Sequence, residues 1–169
     1  MKMRGLFWGV LALSLCGCGT SYRWRPTVPD GMRTVSVPTF RNESEVAEIG
    51  AVASRQLLRE FQREGTFRIR TNGDAALEVQ GTVKSASPAM SAYDRRSRAR
   101  VAAYDCSAEV EVSVVDKRSH KVLIDNRIYR ASATFTAGQD RTTAMRDASG
   151  RLMDDLARQV VDDVVGLKW

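Results

Sequence analysis

The sequence predicts an α+β fold: a four-stranded, mostly antiparallel sheet with two helices packed on one face, in the order β-α-β-β-β-α. Three observations carry that prediction. Residues Tyr104 to Val114 alternate apolar and polar without a break, the mark of a strand buried on one face and wet on the other. Two other segments repeat apolar residues every three or four positions, which is the helical period. The 169 residues, 43% hydrophobic and 27% charged, suffice for one ordinary core and leave no room for a second.

In chain order, residues 1–17 read as a lipoprotein signal peptide, 18–31 as a lipidated tether and 32–169 as a single α+β domain. Lys2 and Arg4 precede an apolar run from Leu6 to Leu15, broken only by Ser14. A charged start before a short apolar run is an export signal, and the run is too short to span a bilayer. It ends in Leu15-Cys16-Gly17-Cys18, a lipobox in which Leu15 stands at −3 and Gly17 at −1 of Cys18. Cys18 is therefore the expected site of lipid attachment. Acyl chains contribute about 0.8 kcal/mol per buried methylene, so two or three of them make a lasting anchor. Gly19, and not an aspartate, follows Cys18, and the expected location is the periplasmic side of the outer membrane.

Losing Lys2 and Arg4 with the leader takes the 26 basic residues to 24 against 20 acidic ones, a net charge of +4. The whole-chain pI of 9.6 thus overstates the basicity of the exported protein. An exported chain meets no chromosome, so nucleic acid is not an expected partner. Cys106 is the cysteine left after processing, which leaves no intramolecular disulfide, and His120 is the single histidine, so no metal cluster and no cofactor is expected.

Residues 19–31 are polar and hold Pro26, Pro29 and Gly31, as a tether would. The first strand runs from Met32 to Phe40, with Pro38 marking an edge position or the strand's end. Asn42 and Glu45 have capping-box spacing. Behind them Ile49, Ala53, Leu57 and Phe61 form the apolar stripe of a helix that Gly65 ends. Phe67 to Arg70 is a short extended piece, and Asn72-Gly73 a turn. The second strand is Ala75 to Ser85, and the third is the alternating stretch. Asp116 to Lys121 turns into the fourth strand, Val122 to Phe135, whose apolar residues fall on two phases and so require a bulge or a twist. The closing helix spans 141–166, with Ala144, Ala148, Leu152, Leu156, Val160 and Val164 as its stripe.

The lipobox, the early strand Thr34-Val-Ser-Val-Pro-Thr-Phe-Arg-Asn42, the helix directly after it, Ala75 to Gly81 (AALEVQG), the meander and the closing helix together resemble the LPS-assembly lipoproteins of the outer membrane. The resemblance implies an α+β fold, no enzymatic activity, binding of lipopolysaccharide and a partner: the β-barrel translocon that inserts lipopolysaccharide into the outer leaflet. Lipoproteins that activate peptidoglycan synthases, and related envelope scaffolds, are similar at the front, opening with a strand that ends in Phe-x-Asn. Here about a dozen residues separate Cys18 from the first strand, a reach of roughly 40 Å fully extended. That short leash suits a partner in the same membrane.

Ser91 to Arg100 is the most unusual stretch, with Arg95, Arg96, Arg98 and Arg100 in the connection before the third strand. Guanidinium groups grip phosphates through forked, charge-assisted hydrogen bonds, and the lipid A of lipopolysaccharide carries phosphates. Counting the strand's alternation backwards puts Arg96, Arg98 and Arg100 on the face of Tyr104 and Cys106. A solvated loop, or contact with acidic residues in a barrel lumen, explains the same run. Lys117, Arg118, His120 and Lys121 flank the next turn, where solvation is the simpler account. Tyr22 and Trp24 lie near the acylated end and suit the headgroup level or a barrel wall. Cys106 sits on an apolar phase and reads as core, and Trp169 has no assigned role. No nucleophile–base pairing, glycine-rich phosphate loop or metal spacing occurs, so no enzyme is expected. Asp154, Asp155, Asp162 and Asp163 are the wet face of the last helix.

Overall fold

The computed structural model describes residues 27–71, 73–93, 101–136 and 141–169. Its elements are β1 (Thr34–Ser36), β2 (Arg41–Asn42), α1 (Ile49–Glu64), β3 (Arg68–Ile69), β4 (Leu77–Tyr93), β5 (Val101–Asp116), β6 (Lys121–Thr136) and α2 (Arg141–Val165). The α+β class and both helices stand as expected. The sheet differs: it has six strands and is mixed, in the order β3-β1-β4-β5-β6 with β2 also on β4. The antiparallel part is the β4–β5–β6 meander. β1 instead runs parallel to both β3 and β4, and β2 parallel to β4. The cause is α1. It carries the chain back along the sheet, so β3 and β4 enter in the direction of β1, as any helical crossover requires.

One face of the sheet is dry. Val79 and Val83 of β4 lie across from Val114 and Val110 of β5, and these four, with Leu77, are fully or almost fully buried. Both helices cover this face. α1 buries Ile49, Ala53, Leu57 and Phe61, the stripe seen in the sequence. α2 buries Leu152, Met153, Leu156, Val160, Val161 and Val164 against the same core.

The inner row of β4 has a gap at Gly81, and Phe40 fills it. From Ser36 to Arg41 the chain takes five residues where β4 takes four, from Glu78 to Thr82. The extra residue lets Pro38–Phe40 leave the sheet, and the Phe40 ring drops onto Gly81, where a Cβ would overlap it. The backbone of Phe40 is held from the other side by α1. Its N–H donates to Ser54 Oγ at 2.8 Å, and its carbonyl lies where a Cβ on Gly50 would sit. Ser54 Oγ in turn donates to Gly50 O at 2.9 Å.

This anchorage also moves the helix start. The expected capping box does not form. Asn42 Oδ1 accepts from the N–H of Ser44 at 2.9 Å and from its hydroxyl at 2.7 Å, while Asn42 Nδ2 donates to Val46 O at 2.8 Å. The asparagine thus closes a local turn, as short polar side chains do near helix starts. α1 begins after Glu48, which is left-handed with φ 60°. Gly65 ends it as expected, at φ 82° with its N–H bonded to Phe61 O.

β6 is an edge strand. It carries the expected bulge, with register shifts opposite Val112 to Val115 and Asn126 at φ 42°. The shift turns Val122 and Ile128 outward, 48% and 43% exposed, while Ile124 stays buried across from Val114. Gln159 Nε2 of α2 donates to one β6 carbonyl, that of Arg130. At the end of the sheet where the chain enters, Val28 is buried in the core, and Trp169 packs on Phe67, which meets Phe61 edge to face.

Gly81→Ala is expected to destabilise the fold by about 1–3 kcal/mol, because the new methyl displaces the Phe40 ring in a packed core. Gly150→Ala, with open space at its Cβ inside α2, should stabilise by roughly 0.5–1 kcal/mol. Urea unfolding of the two variants should give shifts of opposite sign.

Candidate functional site

The residues singled out in the sequence lie mostly outside the described ones. Cys18, Tyr22 and Trp24 precede residue 27, and Arg95, Arg96, Arg98 and Arg100 fall between the end of β4 and the start of β5. What the structure supplies is their setting. β4 and β5 pair along almost their whole length, from Leu77 opposite Asp116 to Tyr93 opposite Val101. The arginine run therefore joins the far ends of a long hairpin. Register shifts at Met90–Ala92 and Ala92–Tyr93 interrupt the ladder there, so the alternation of β5 does not count back unbroken to the arginines.

The outer face of the sheet is the wet one. Glu78, Gln80 and Thr82 of β4 stand beside Ser113 and Glu111 of β5. With Thr39 and Arg41 from the β1–β2 excursion they line a shallow groove of about 450 Å³. The sequence pattern contained its β4 and β5 walls as the polar phase of two strands. It did not show that Arg41 joins them, because that depends on the parallel pairing of β2. Gln80 Nε2 donates to Glu78 Oε1 at 2.6 Å and holds that carboxyl below the usual range, helped by Lys117 at 3.1 Å and opposed by partial burial. Hydroxyls, carboxylates and one guanidinium in a shallow trough suit hydrogen bonding to another polar surface. They do not make a nucleophile and base.

Most cations along the body are matched. Lys84 pairs with Glu43 at 2.5 Å, and the hydrogen bond and charge of that carboxylate raise the lysine's pKa. Arg130 pairs with Glu109 at 2.7 Å, across the β5–β6 ladder. On the other face, Arg127 and Tyr129 both reach Asp163 of α2, at 2.8 and 2.9 Å. Burial and the adjacent carboxylate push the Tyr129 phenol far above its ordinary pKa. Together with Gln159, this clasp stitches α2 to the sheet edge.

Cys106 is buried, as its phase implied, and burial raises its thiol pKa. His120 is exposed in the β5–β6 turn with φ 55°. That turn is organised by Asp116, whose carboxylate accepts from Ser119 Oγ at 2.6 Å and from Arg118 N at 2.9 Å and is held below its usual pKa by those bonds. Among the described residues no group of histidine, cysteine, aspartate or glutamate side chains is placed to hold a metal ion.

The family model for lipopolysaccharide assembly (LptE) matches residues 32–164. Among proteins of curated function, none has a sequence that matches. A hypothetical protein from Chlamydia trachomatis has the same fold with a TM-score of 0.58 at 15% identity, over 80% of this chain and 96% of that one. A minor lipoprotein from Acinetobacter baumannii superimposes with a TM-score of 0.50 at 14% identity, over 83% and 93%. PelC from Paraburkholderia phytofirmans, a dodecamer, gives 0.52 at 13%, over 79% and 92%. At these identities the likeness is one of fold.

Tyr129→Phe is expected to cost about 1.5–3 kcal/mol near neutral pH, the net worth of one hydrogen bond to a charged group. A raised phenol pKa contributes stability that is complete below the unfolded tyrosine value, near 10, and is lost as pH rises past it. The gap between wild type and Tyr129→Phe in urea midpoint should therefore narrow above pH about 10.

Proposed function

The chain belongs to the lipopolysaccharide-assembly (LptE) lipoprotein family, and from that premise we propose that it complexes with and supports the β-barrel translocon that assembles lipopolysaccharide at the outer membrane. The observation that carries this is the family match, which spans nearly all of the folded part of the chain. Its family is one of non-enzymatic assembly lipoproteins, and the role proposed for this chain is structural.

The signal peptide of residues 1–17 is removed, Cys18 takes the acyl chains, and a tether leads into the α+β domain on the periplasmic side of the outer membrane. The lipobox supports this step. In the barrel, the polar outer face of the sheet and its groove meet the lumen wall. A surface of paired charges, hydroxyls and amides matches the polar interior of such barrels. The arginines between β4 and β5 face the lipopolysaccharide route and bind its phosphates through forked hydrogen bonds. Their place in the chain, between the paired ends of β4 and β5, supports this.

A C-terminally tagged chain, purified from outer membranes in mild detergent, should carry a large β-barrel protein in stoichiometric amount. A peptidoglycan-synthase domain in its place, or no partner, would overturn the proposal. Changing Arg95, Arg96, Arg98 and Arg100 to alanine should weaken lipopolysaccharide binding at least about ten-fold at low salt, since one charge-assisted hydrogen bond is worth ~1.5–3 kcal/mol. The difference should shrink with added salt as the charges are screened. Equal binding at low salt would remove the phosphate site.

A further inference from the structure

The end of the domain where the chain enters is basic in a way the body is not. Thr27 stands nine residues after Cys18, within about 30 Å of the expected lipid anchor even with the chain fully extended. Three separated segments are drawn to this end. Arg68 and Arg70 come with β3, whose backbone is bonded to Arg33 O and Val35 O. Arg118 and Lys121 come with the β5–β6 turn, which the bond from Lys117 N to Ala76 O ties down. The Arg118 guanidinium lies beside Gly31 of the entering chain, 3.0 Å from where a Cβ on that residue would be. Lys168 comes with Trp169, which is fixed on Phe67.

All five cations are exposed, and none has an ion-pair partner among the described residues. The carboxylates nearby are mostly engaged. Asp30 is paired with Arg33 and Glu78 with Lys117; Asp116 is bonded within its own turn, where it also faces the charge of Arg118, and exposed Asp74 is the other opposing charge. Unpaired arginines elsewhere, such as Arg55, Arg59 and Arg151, are spread along helix faces and converge on nothing.

We propose that Arg68, Arg70, Arg118, Lys121 and Lys168 form a docking face for anionic phospholipid headgroups, which seats the entry end of the domain on the leaflet that holds the acyl chains. The inference rests on lipidation of Cys18 as proposed above. Two short-range terms then act at one place. The anchor confines this end near the membrane, and exposed cations are attracted to an anionic surface only within about a Debye length, ~10 Å at 0.1 M salt.

The test uses the full chain, purified from membranes and reconstituted on vesicles of phosphatidylcholine alone or with phosphatidylglycerol added. Trace acetylation of lysines is read by mass spectrometry, with Lys84 as internal reference. The same spectra report the mass on Cys18. Lys121 and Lys168 should label about five-fold more slowly, relative to Lys84, when phosphatidylglycerol is present, the scale of one basic residue at an anionic surface. The triple variant Arg68→Gln, Arg70→Gln, Arg118→Gln, all at exposed positions, should lose most of that difference. An acylated chain that labels alike on both vesicles would overturn the docking face while leaving the anchor intact. A chain without acyl mass would overturn the anchor, and the labelling of whatever binds phosphatidylglycerol vesicles would still decide the face: protection supports it, and failure to bind refutes it.

Discussion

The ring of Phe40 occupies the place of a side chain that β4 does not have. Much of the parallel half of the sheet depends on that contact. Gly81 leaves the notch, the one-residue excess between Ser36 and Arg41 delivers the ring to it, and Gly50 and Ser54 of α1 accept the backbone that follows. The excursion is thus held between the sheet and the helix that covers it. β1 and β2 are fixed in register on β4, and the first turn of α1 is fixed in position over them. A larger residue at Gly81 or Gly50 presses on a ring or a carbonyl with no free space to move into, which is why shape and not hydrophobicity decides these positions.

The same contact explains how far the fold was legible. The strands of the meander and the stripes of both helices read directly where each has one dry and one wet side and so a period; β4 runs on to Tyr93, eight residues past the expected end at Ser85. β2 and β3 are two residues long and have no period, so β3 was readable only as a short extended piece, Phe67 to Arg70, and β2 not as a strand of its own. The parallel pairing of β1 lay beyond reach for a different reason: its partner Leu77 is some forty residues on, and nothing local in either segment names the other. The sequence did contain Val-x-Val-Pro-x-Phe-x-Asn and AALEVQG as separate motifs. Their joint presence follows from Phe40 in the first meeting Gly81 in the second. Asn42 was misread because its side chain has two local uses, and proximity to Ser44 and Val46 decided between them.

Of the functional residues, Cys106 and the polar strand phases were placed correctly, since burial follows alternation. The assembly of Arg41 with Gln80 and Glu111, and of Tyr129 with Asp163, required the tertiary pairing of elements far apart in sequence. The resulting division of labour is electrostatic. Along the body, Lys84, Arg127 and Arg130 are each closed by a carboxylate. Among the described residues, unmatched positive charge converges at the entry end of the sheet, where Arg68, Arg70, Arg118, Lys121 and Lys168 come together.

β6 is a long strand with an open edge, and it carries the exposed Val122 and Ile128. Such an edge is a template on which another copy of the chain adds its own strand. Here the left-handed Asn126 breaks the ladder's regularity, Lys121, Arg127 and Arg130 put charge along it, and Gln159 occupies the carbonyl of Arg130. The bulge that reads in the sequence as a clash of two apolar phases thus interrupts the regular edge that strand addition needs. A regularised β6, with Asn126 replaced by a β-branched residue, would exchange that protection for a straighter strand and a stickier protein.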